Sequence, residues 1–299
     1  MNSENTNVHS TKFLVRYSIL AAIVVGGIIV VVGGFVTMYR ATKPWPLQPN
    51  QAESGVPSGQ IAATEPSAAV LPPVAELISS RLETEEPVFL EERKRMLVHD
   101  LMGRDITEPA VLRAMGRVPR QLFVRPEDID LAYADHPLPI GYNQTISQPY
   151  IVALMTQLAR PKPDSRALDV GTGSGYQAAV LAEICKEVYS IEIVQPLAET
   201  AAQRLAELGY TNVTVRHGDG YRGWPEHAPF DVIIVAAAPD HIPQPLVEQL
   251  APGGRLVLPV GRFFQQLIVV EKLQDGTVRQ IPSIPVSFVP MTGEAEKNR

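Results

Sequence analysis

Asp169, Gly171, Gly173 and Gly175 stand at alternate positions, and Glu192 and Asp219 close two later apolar runs. Glycines placed this way let a ligand approach the backbone where a side chain would block it. Glu192 lies 23 residues after Asp169, at the tip of a second strand, where a carboxylate grips the two hydroxyls of a ribose. Gly218-Asp219-Gly220 sets another carboxylate on a flexible turn, able to accept from an adenine amino group. Three such loops at one sheet edge make a nucleoside site; the plainer reading is three surface turns. A second cluster, Gln144, Thr145, Ser147 and Gln148, sits in the proline-containing stretch 133–150, directly before a well-patterned helix at 151–159. A polar loop delivered to that edge suits substrate recognition. Ser147 or Gln148 capping the helix is compatible with it.

The elements that carry these residues follow from periodicity. Ala167, Leu168 and Val170 read as a buried strand and residues 177–184 as a helix, the start of a βαβ unit. A dinucleotide fingerprint wants its third glycine one position later, where Tyr176 stands. Asp-x-Gly-x-Gly-x-Gly is instead the pattern of doubly wound S-adenosylmethionine-dependent methyltransferases. Residues 188–191 and 213–215 read as the next strands, and 230–238 is a continuous apolar run, as in a parallel strand buried on both faces. Its exit, Ala236-Ala-Ala-Pro239, lacks the Asn/Asp-Pro-Pro-aromatic block of enzymes that methylate base amino groups, and its small side chains leave room for a methyl group and a peptide. Pro252-Gly-Gly254 reads as a turn before a strand at 255–260. Gly261 opens a loop with Gln265, either a substrate contact or a solvated hairpin end. Strands at 267–272 and 281–289 and a polar tail from Met291 complete the chain. Upstream, 89–124 is helical, with Leu90, Leu97 and Leu101 on one face and Thr107 capping a second helix that has Pro109 in its first turn.

Of the 299 residues, 45% are hydrophobic and the net charge is −6. Residues 17–38 carry no charge, and a helix of that length, at about 1.5 Å per residue, spans a hydrocarbon layer of roughly 30 Å. Retained, it is a membrane anchor after a tail at 1–16; a cleaved signal peptide is the alternative. The stretch 39–88 reads as an acidic, proline-rich, disordered linker, with a short helix at about 74–82. Residues 1–43 carry +3, residues 44–90 carry −5 and residues 91–299 carry −4, so no basic excess awaits a phosphate backbone and nucleic acid is not expected as substrate. The single cysteine, Cys185, excludes an internal disulfide, and the histidines do not fall at ligand spacing, so no metal is implied.

Leu138-Pro-Ile-Gly141, Gln144-Thr-Ile-Ser-Gln-Pro-Tyr150, Leu168-Asp-Val-Gly-Thr-Gly-Ser-Gly-Tyr-Gln177, Gly218-Asp-Gly220, Ala228-Pro-Phe-Asp231 and Leu256-Val-Leu-Pro-Val-Gly261 closely resemble, in order, the protein-L-isoaspartate O-methyltransferase family. The resemblance covers roughly residues 89–292. Thr-Ile-Ser-x-Pro is specific to that family, whereas the glycine loop belongs to the superfamily. It implies an α/β fold, a doubly wound, mostly parallel seven-stranded sheet of Rossmann-like type with N-terminal covering helices. It also implies transfer of a methyl group from S-adenosyl-L-methionine to the α-carboxyl of L-isoaspartyl residues in damaged proteins, followed by repair through a succinimide. Ser147 matches the family's active-site serine and would orient the substrate carboxylate, with Thr145, Ile146, Gln148 and Gln265 as substrate contacts. Asp169, Gly171, Gly173, Ser174, Gly175, Glu192, Gly218 and Asp219 would hold the cofactor. A carboxylate, with its ordinary pKa near 4, is already nucleophilic at neutral pH, so alignment matters more than a base. No His/Asp pair is placed by sequence to activate Ser147 as a covalent nucleophile. A different O- or N-methyltransferase, or a tethered module without activity, would share the cofactor loops or the fold. The catalytic domain is expected to be monomeric and, because S-adenosylmethionine is made and kept in the cytosol, cytoplasmic.

Overall fold

The computed structural model describes residues 31–32, 35–36, 71–80, 82 and 84–297. They belong to two compact units, Met1–Glu65 and Pro66–Arg299. In the first, β1 (Val31–Val32) and β2 (Phe35–Val36) pair antiparallel. These four residues lie inside the stretch expected to be a membrane helix, and are extended instead. The rest of that expected span, and the expected linker before residue 71, lie outside the described residues. Among the described residues no helix is long and apolar enough to cross a membrane.

The second unit opens with α1 (Val74–Leu77), whose Leu77 is buried. Part of the expected linker is thus packed structure. Next come α2 (Pro87–Arg95), a π-helical continuation at Met96–Met102, and α3 (Pro109–Arg117). Leu97, Leu101 and Met115 are fully buried. Pro87 and Pro109 each start a helix, where the missing N–H costs nothing. Thr107 does not cap α3. The N-cap is Glu108 without a side-chain bond, and the N–H groups of Thr107 and Glu108 donate to Gln157 Oε1 at 2.8 and 2.9 Å.

The polar stretch before the next helix is more ordered than its composition suggests. β3 (Leu138–Gly141) and β4 (Gln144–Ile146) form a hairpin, with Tyr142 (φ 53°) and Asn143 (φ 59°) both left-handed. Positive φ at both loop residues is the type I′ geometry, which matches the right-handed twist of paired strands. α4 (Pro149–Ala159) follows at once.

The doubly wound part runs β5 (Arg166–Val170), α5 (Tyr176–Ala182), β6 (Glu187–Glu192), α6 (Gln195–Glu207), β7 (Val213–His217), β8 (Phe230–Val235), α7 (Gln244–Glu248), β9 (Leu250–Val260), β10 (Gln265–Lys272), β11 (Val278–Val286) and α8 (Glu294–Lys297). The seven-stranded sheet has the order β11-β10-β9-β8-β5-β6-β7. Strands β9, β8, β5, β6 and β7 are parallel, and β10 runs against both its neighbours. In β8, Val232 and Ile234 join the core on one face while Ile233 and Val235 join the core on the other, which explains an apolar run without alternation. Pro252-Gly-Gly254 is not a turn before β9. It lies inside the strand, where the pairing with β8 shifts register and Gly253 has φ +83°. Cys185 is buried, its thiol pushed up to about 12 by burial and then by Asp231, so it is inert.

Candidate active site

The ends of β5, β6 and β8 and the turn after β7 open on one pocket. Its walls include Gly171, Gly173, Glu192, Asp219, Gly220 and Ala236. Gly171 and Gly173 expose their backbones there. Gly175 instead starts α5 at φ +93°, where an added Cβ would meet Leu205 and Ala201 of α6 at 3.3–3.5 Å. It is a packing glycine and does not line the pocket. Ser174 is also turned away; it is buried and its carbonyl accepts from Arg204 Nη1.

Glu192 is fixed by two backbone donors, Gly173 N to Oε2 at 2.8 Å and Val194 N to Oε1 at 2.9 Å. Each oxygen keeps acceptor capacity for a ligand hydroxyl. Asp219 is likewise held from both sides. Tyr221 N donates to Oδ1 at 3.0 Å and Glu294 N to Oδ2 at 2.7 Å. Gly218 does not line the pocket; Gly220 does, and a Cβ there would sit 2.4 Å from Val170 Cγ1.

Asp169 lies underneath rather than in the wall. It is fully buried, Oδ2 accepts from Ser190 Oγ at 2.7 Å, and Ser190 Oγ in turn lies 2.6 Å from Thr172 Oγ1. Its Oδ1 has no partner. Burial, opposed by the Ser190 bond and aided by Glu192, raises its carboxyl to about 7. The residue braces the glycine loop through Ser190 and Thr172 and does not line the pocket.

The C-terminal segment closes the pocket. Ala238 N donates to Val289 O and Met291 N to Ala238 O, both at 2.8 Å, so residues 289–291 run along the exit of β8. Val289, Pro290, Met291 and Thr292 line the pocket, and Met291 and Ala295 are buried. From Met291 on the sequence reads as a polar tail, but Met291 and Thr292 are part of the wall. Its approach needs Gly293, φ +81°, because a Cβ there would lie 2.5 Å from Asp219 Oδ2.

A second, open cleft of about 780 Å³ adjoins the first pocket and shares Thr145, Ala236 and Val289 with it. Ser147, Gln148, Tyr150 and Arg104 line one side and residues 284–289 the other. Ser147 is half-buried. Its carbonyl accepts from Arg120 Nη2 at 2.8 Å, and among the described residues nothing hydrogen-bonds its hydroxyl. Arg120 is fully buried, donates Nε to Ala132 O at 2.7 Å, and stacks 4.7 Å from the centre of the Tyr176 ring. It ties the Ser147 loop to α5. Asp135 caps α4 from a distance, accepting from Tyr150 N at 2.9 Å, and also holds Gln148 Nε2 and Arg104 Nη1. Neither Ser147 nor Gln148 caps that helix by its own side chain.

Two expected substrate contacts are elsewhere. Ile146 is buried opposite Leu138, because alternation along β4 sends its side chain to the core while Thr145 and Ser147 face the cleft. Gln265 is on β10, not in a loop, and its amide is held at both ends by Phe288: Nε2 donates to the carbonyl at 3.0 Å and Oε1 accepts from the N–H at 2.6 Å. It fixes the cleft wall. Sequence reasoning missed Arg120, Asp135, Arg104 and residues 289–292. The three alanines after β8 were a usable signal, since Ala236 and Ala237 both line the pocket.

A pocket with bare glycine backbone, a rigid two-oxygen acceptor in Glu192, a carboxylate at Asp219 and apolar walls of Val170, Ile191 and Ile193 fits an adenosyl group. The family model described as protein-L-isoaspartate(D-aspartate) O-methyltransferase matches residues 92–296. The chain is 57% identical over 194 residues to protein-L-isoaspartate O-methyltransferase 2 of Polaromonas sp., spanning 64% of this chain and 92% of that one. To the Gloeobacter violaceus protein-L-isoaspartate O-methyltransferase it is 55% identical over 201 residues, 67% of this chain and 98% of the other. Among solved structures, one named protein-L-isoaspartate O-methyltransferase superposes with a TM-score of 0.63 at 26% identity, covering 69% of each chain. A Plasmodium falciparum structure, named as the same enzyme type in complex with S-adenosyl-L-homocysteine, gives 0.59 at 26% identity, covering 66% of this chain and 97% of that one.

Proposed function

This chain belongs to the protein-L-isoaspartate(D-aspartate) O-methyltransferase family, and from that premise we propose how its two cavities divide the reaction. It is an S-adenosyl-L-methionine-dependent protein carboxyl O-methyltransferase that methylates the α-carboxyl of L-isoaspartyl residues and so starts their repair through a succinimide. S-adenosyl-L-methionine supplies the methyl group on a sulfonium. Glu192 receives the ribose hydroxyls and Asp219 faces the adenine, with Gly171 and Gly173 against the chain that carries the sulfonium. The isoaspartyl residue enters the neighbouring cleft, where the free hydroxyl of Ser147 donates to its carboxylate and Thr145 stands at the junction of the two cavities. The carboxylate is charged at neutral pH and the donor is cationic, so these residues have to strip water and align, not abstract a proton. The observation that carries this reading is the shared wall of Thr145, Ala236 and Val289, which sets Ser147 beside the cofactor pocket and outside it. Transfer of labelled methyl to an isoaspartyl peptide, absent with its aspartyl isomer, tests it; equal labelling of both peptides refutes the substrate.

We infer further that the uncharged, 22-residue stretch 17–38 holds a monomeric catalytic domain to the membrane on its cytoplasmic side, where the cofactor is made, through its apolar side chains and not as one unbroken helix, since residues 31–32 and 35–36 are extended. Protease protection in intact cells and exposure in inverted vesicles supports this; the reverse places the domain outside.

A further inference from the structure

Phe263 and Phe264 are 85% and 96% exposed, and no other large hydrophobic among the described residues is as bare. Both occupy the tip between β9 and β10. That tip is not a loose loop. Gly261, at φ +130°, packs its Cα against the Phe264 carbonyl, so closely that a Cβ would lie 2.1 Å from the oxygen. Gly261 N donates to Pro239 O at 2.9 Å, and Gln265 clamps the main chain of Phe288 by both amide atoms. Two adjacent phenyl rings are thus held out in water on a pinned turn, which carries a hydrophobic penalty unless something covers them. The place says what. Gln265 lies opposite Val286 in the β10–β11 pair, and residues 284–289 are one wall of the cleft beside Ser147. Phe264 is the residue before Gln265, one strand step of roughly 3.3 Å from it along the chain.

We propose that Phe263 and Phe264 form an aromatic ledge that takes apolar side chains flanking the isoaspartyl residue of a substrate polypeptide. The proposal rests on the methyl-transfer reading of the cleft. Its occupant is an extended, unfolded segment, because folded proteins keep such side chains inside and unfolded ones display them. A bilayer is the poorer occupant: pressed on this tip it would cover the cleft mouth, and Arg262 is the tip's one basic residue, 5.4 Å from the Phe263 ring centre. The ledge gives the enzyme a preference for damage in segments that have lost their fold.

The test uses the full chain and isoaspartyl peptides in which a single leucine or phenylalanine is walked through the flanking positions of an otherwise alanine and glycine sequence. Wild type should show a KM lower by about tenfold at one or two positions, with kcat little changed. Phe263→Ala/Phe264→Ala should abolish that preference while leaving kcat/KM on the alanine peptide and the Kd of S-adenosyl-L-homocysteine unaltered. Phe263→Leu/Phe264→Leu should restore most of it. A wild type indifferent to the flanking residue, or a double alanine variant that keeps the preference, overturns the proposal. So does a double variant whose only change is loss of binding to phosphatidylglycerol vesicles, which would make the tip a lipid contact. If no isoaspartyl peptide is methylated by wild type, it is the reading of the cleft that fails.

Discussion

The hydroxyl of Ser147, proposed above to donate to the substrate carboxylate, has no partner among the described residues, while its carbonyl is held by Arg120. A hydrogen bond to a charged group contributes about 1.5–3 kcal/mol, so Ser147→Ala should lower kcat/KM for an isoaspartyl peptide by roughly 10- to 100-fold. The Kd of S-adenosyl-L-homocysteine, measured by calorimetry, should stay within about twofold, because Ser147 lines only the cleft. A matched loss in both would mean that the serine shapes the loop and not the carboxylate. Asp169 makes a different kind of prediction. Its buried carboxyl is raised to about 7, whereas an unfolded chain titrates near 4. Between those values the unfolded state loses its proton first, so the contribution to stability is full below about pH 4, falls up to about pH 7 and is level above it. The fall is at most about 1.4 kcal/mol per pH unit. Asp169→Asn removes the titration, so between pH 5 and pH 8 wild type should lose more Tm than the variant; parallel curves would place the ionised carboxylate in a better-solvated site than the one described.

Strands and helices differ in how openly the sequence declares them. The β5–glycine loop–α5 unit was legible because glycine spacing and the switch from apolar run to helix are local signals, and the same holds for β6, β7 and β8. The β3–β4 hairpin was not, since Tyr142-Asn143 is an uncommon pair for a type I′ turn and short polar strands look like loop. Glu192 and Asp219 could be placed because strand ends set them, whereas Asp169 and Gln265 could not: a side chain's partner lies far along the chain, and Gln265 is spent on Phe288. The C-terminal wall was misread for the same reason, its contacts being with Ala238 and Asp219. A substitution at its tightest point tests it. Gly293→Ala adds a Cβ 2.5 Å from Asp219 Oδ2 at a positive φ, so it should raise the Kd of S-adenosyl-L-homocysteine by about tenfold. An unchanged Kd would show that the wall gives way freely and does not shape the nucleoside site.

At the scale of the molecule, the catalytic unit begins before the family match at residue 92. Leu77 is buried, and Glu85 forms a buried ion pair with Arg93, which also receives support from Tyr133 OH and the Gly116 carbonyl. Removing one partner of such a pair strands the other, at a cost of about 3–5 kcal/mol. Glu85→Ala should therefore lower the unfolding free energy by about 3 kcal/mol in denaturant titration, with Glu85→Gln milder. A loss within about 0.5 kcal/mol would make residues 71–86 an appendage. The wall at residues 289–292 bears on how the enzyme comes into being. A ribosome makes these residues after every strand of the sheet, so a nascent chain can assemble β5 to β10 and still offer the nucleoside a site open on one side. The nucleoside site is therefore complete only once this segment has been made and has folded back along the exit of β8.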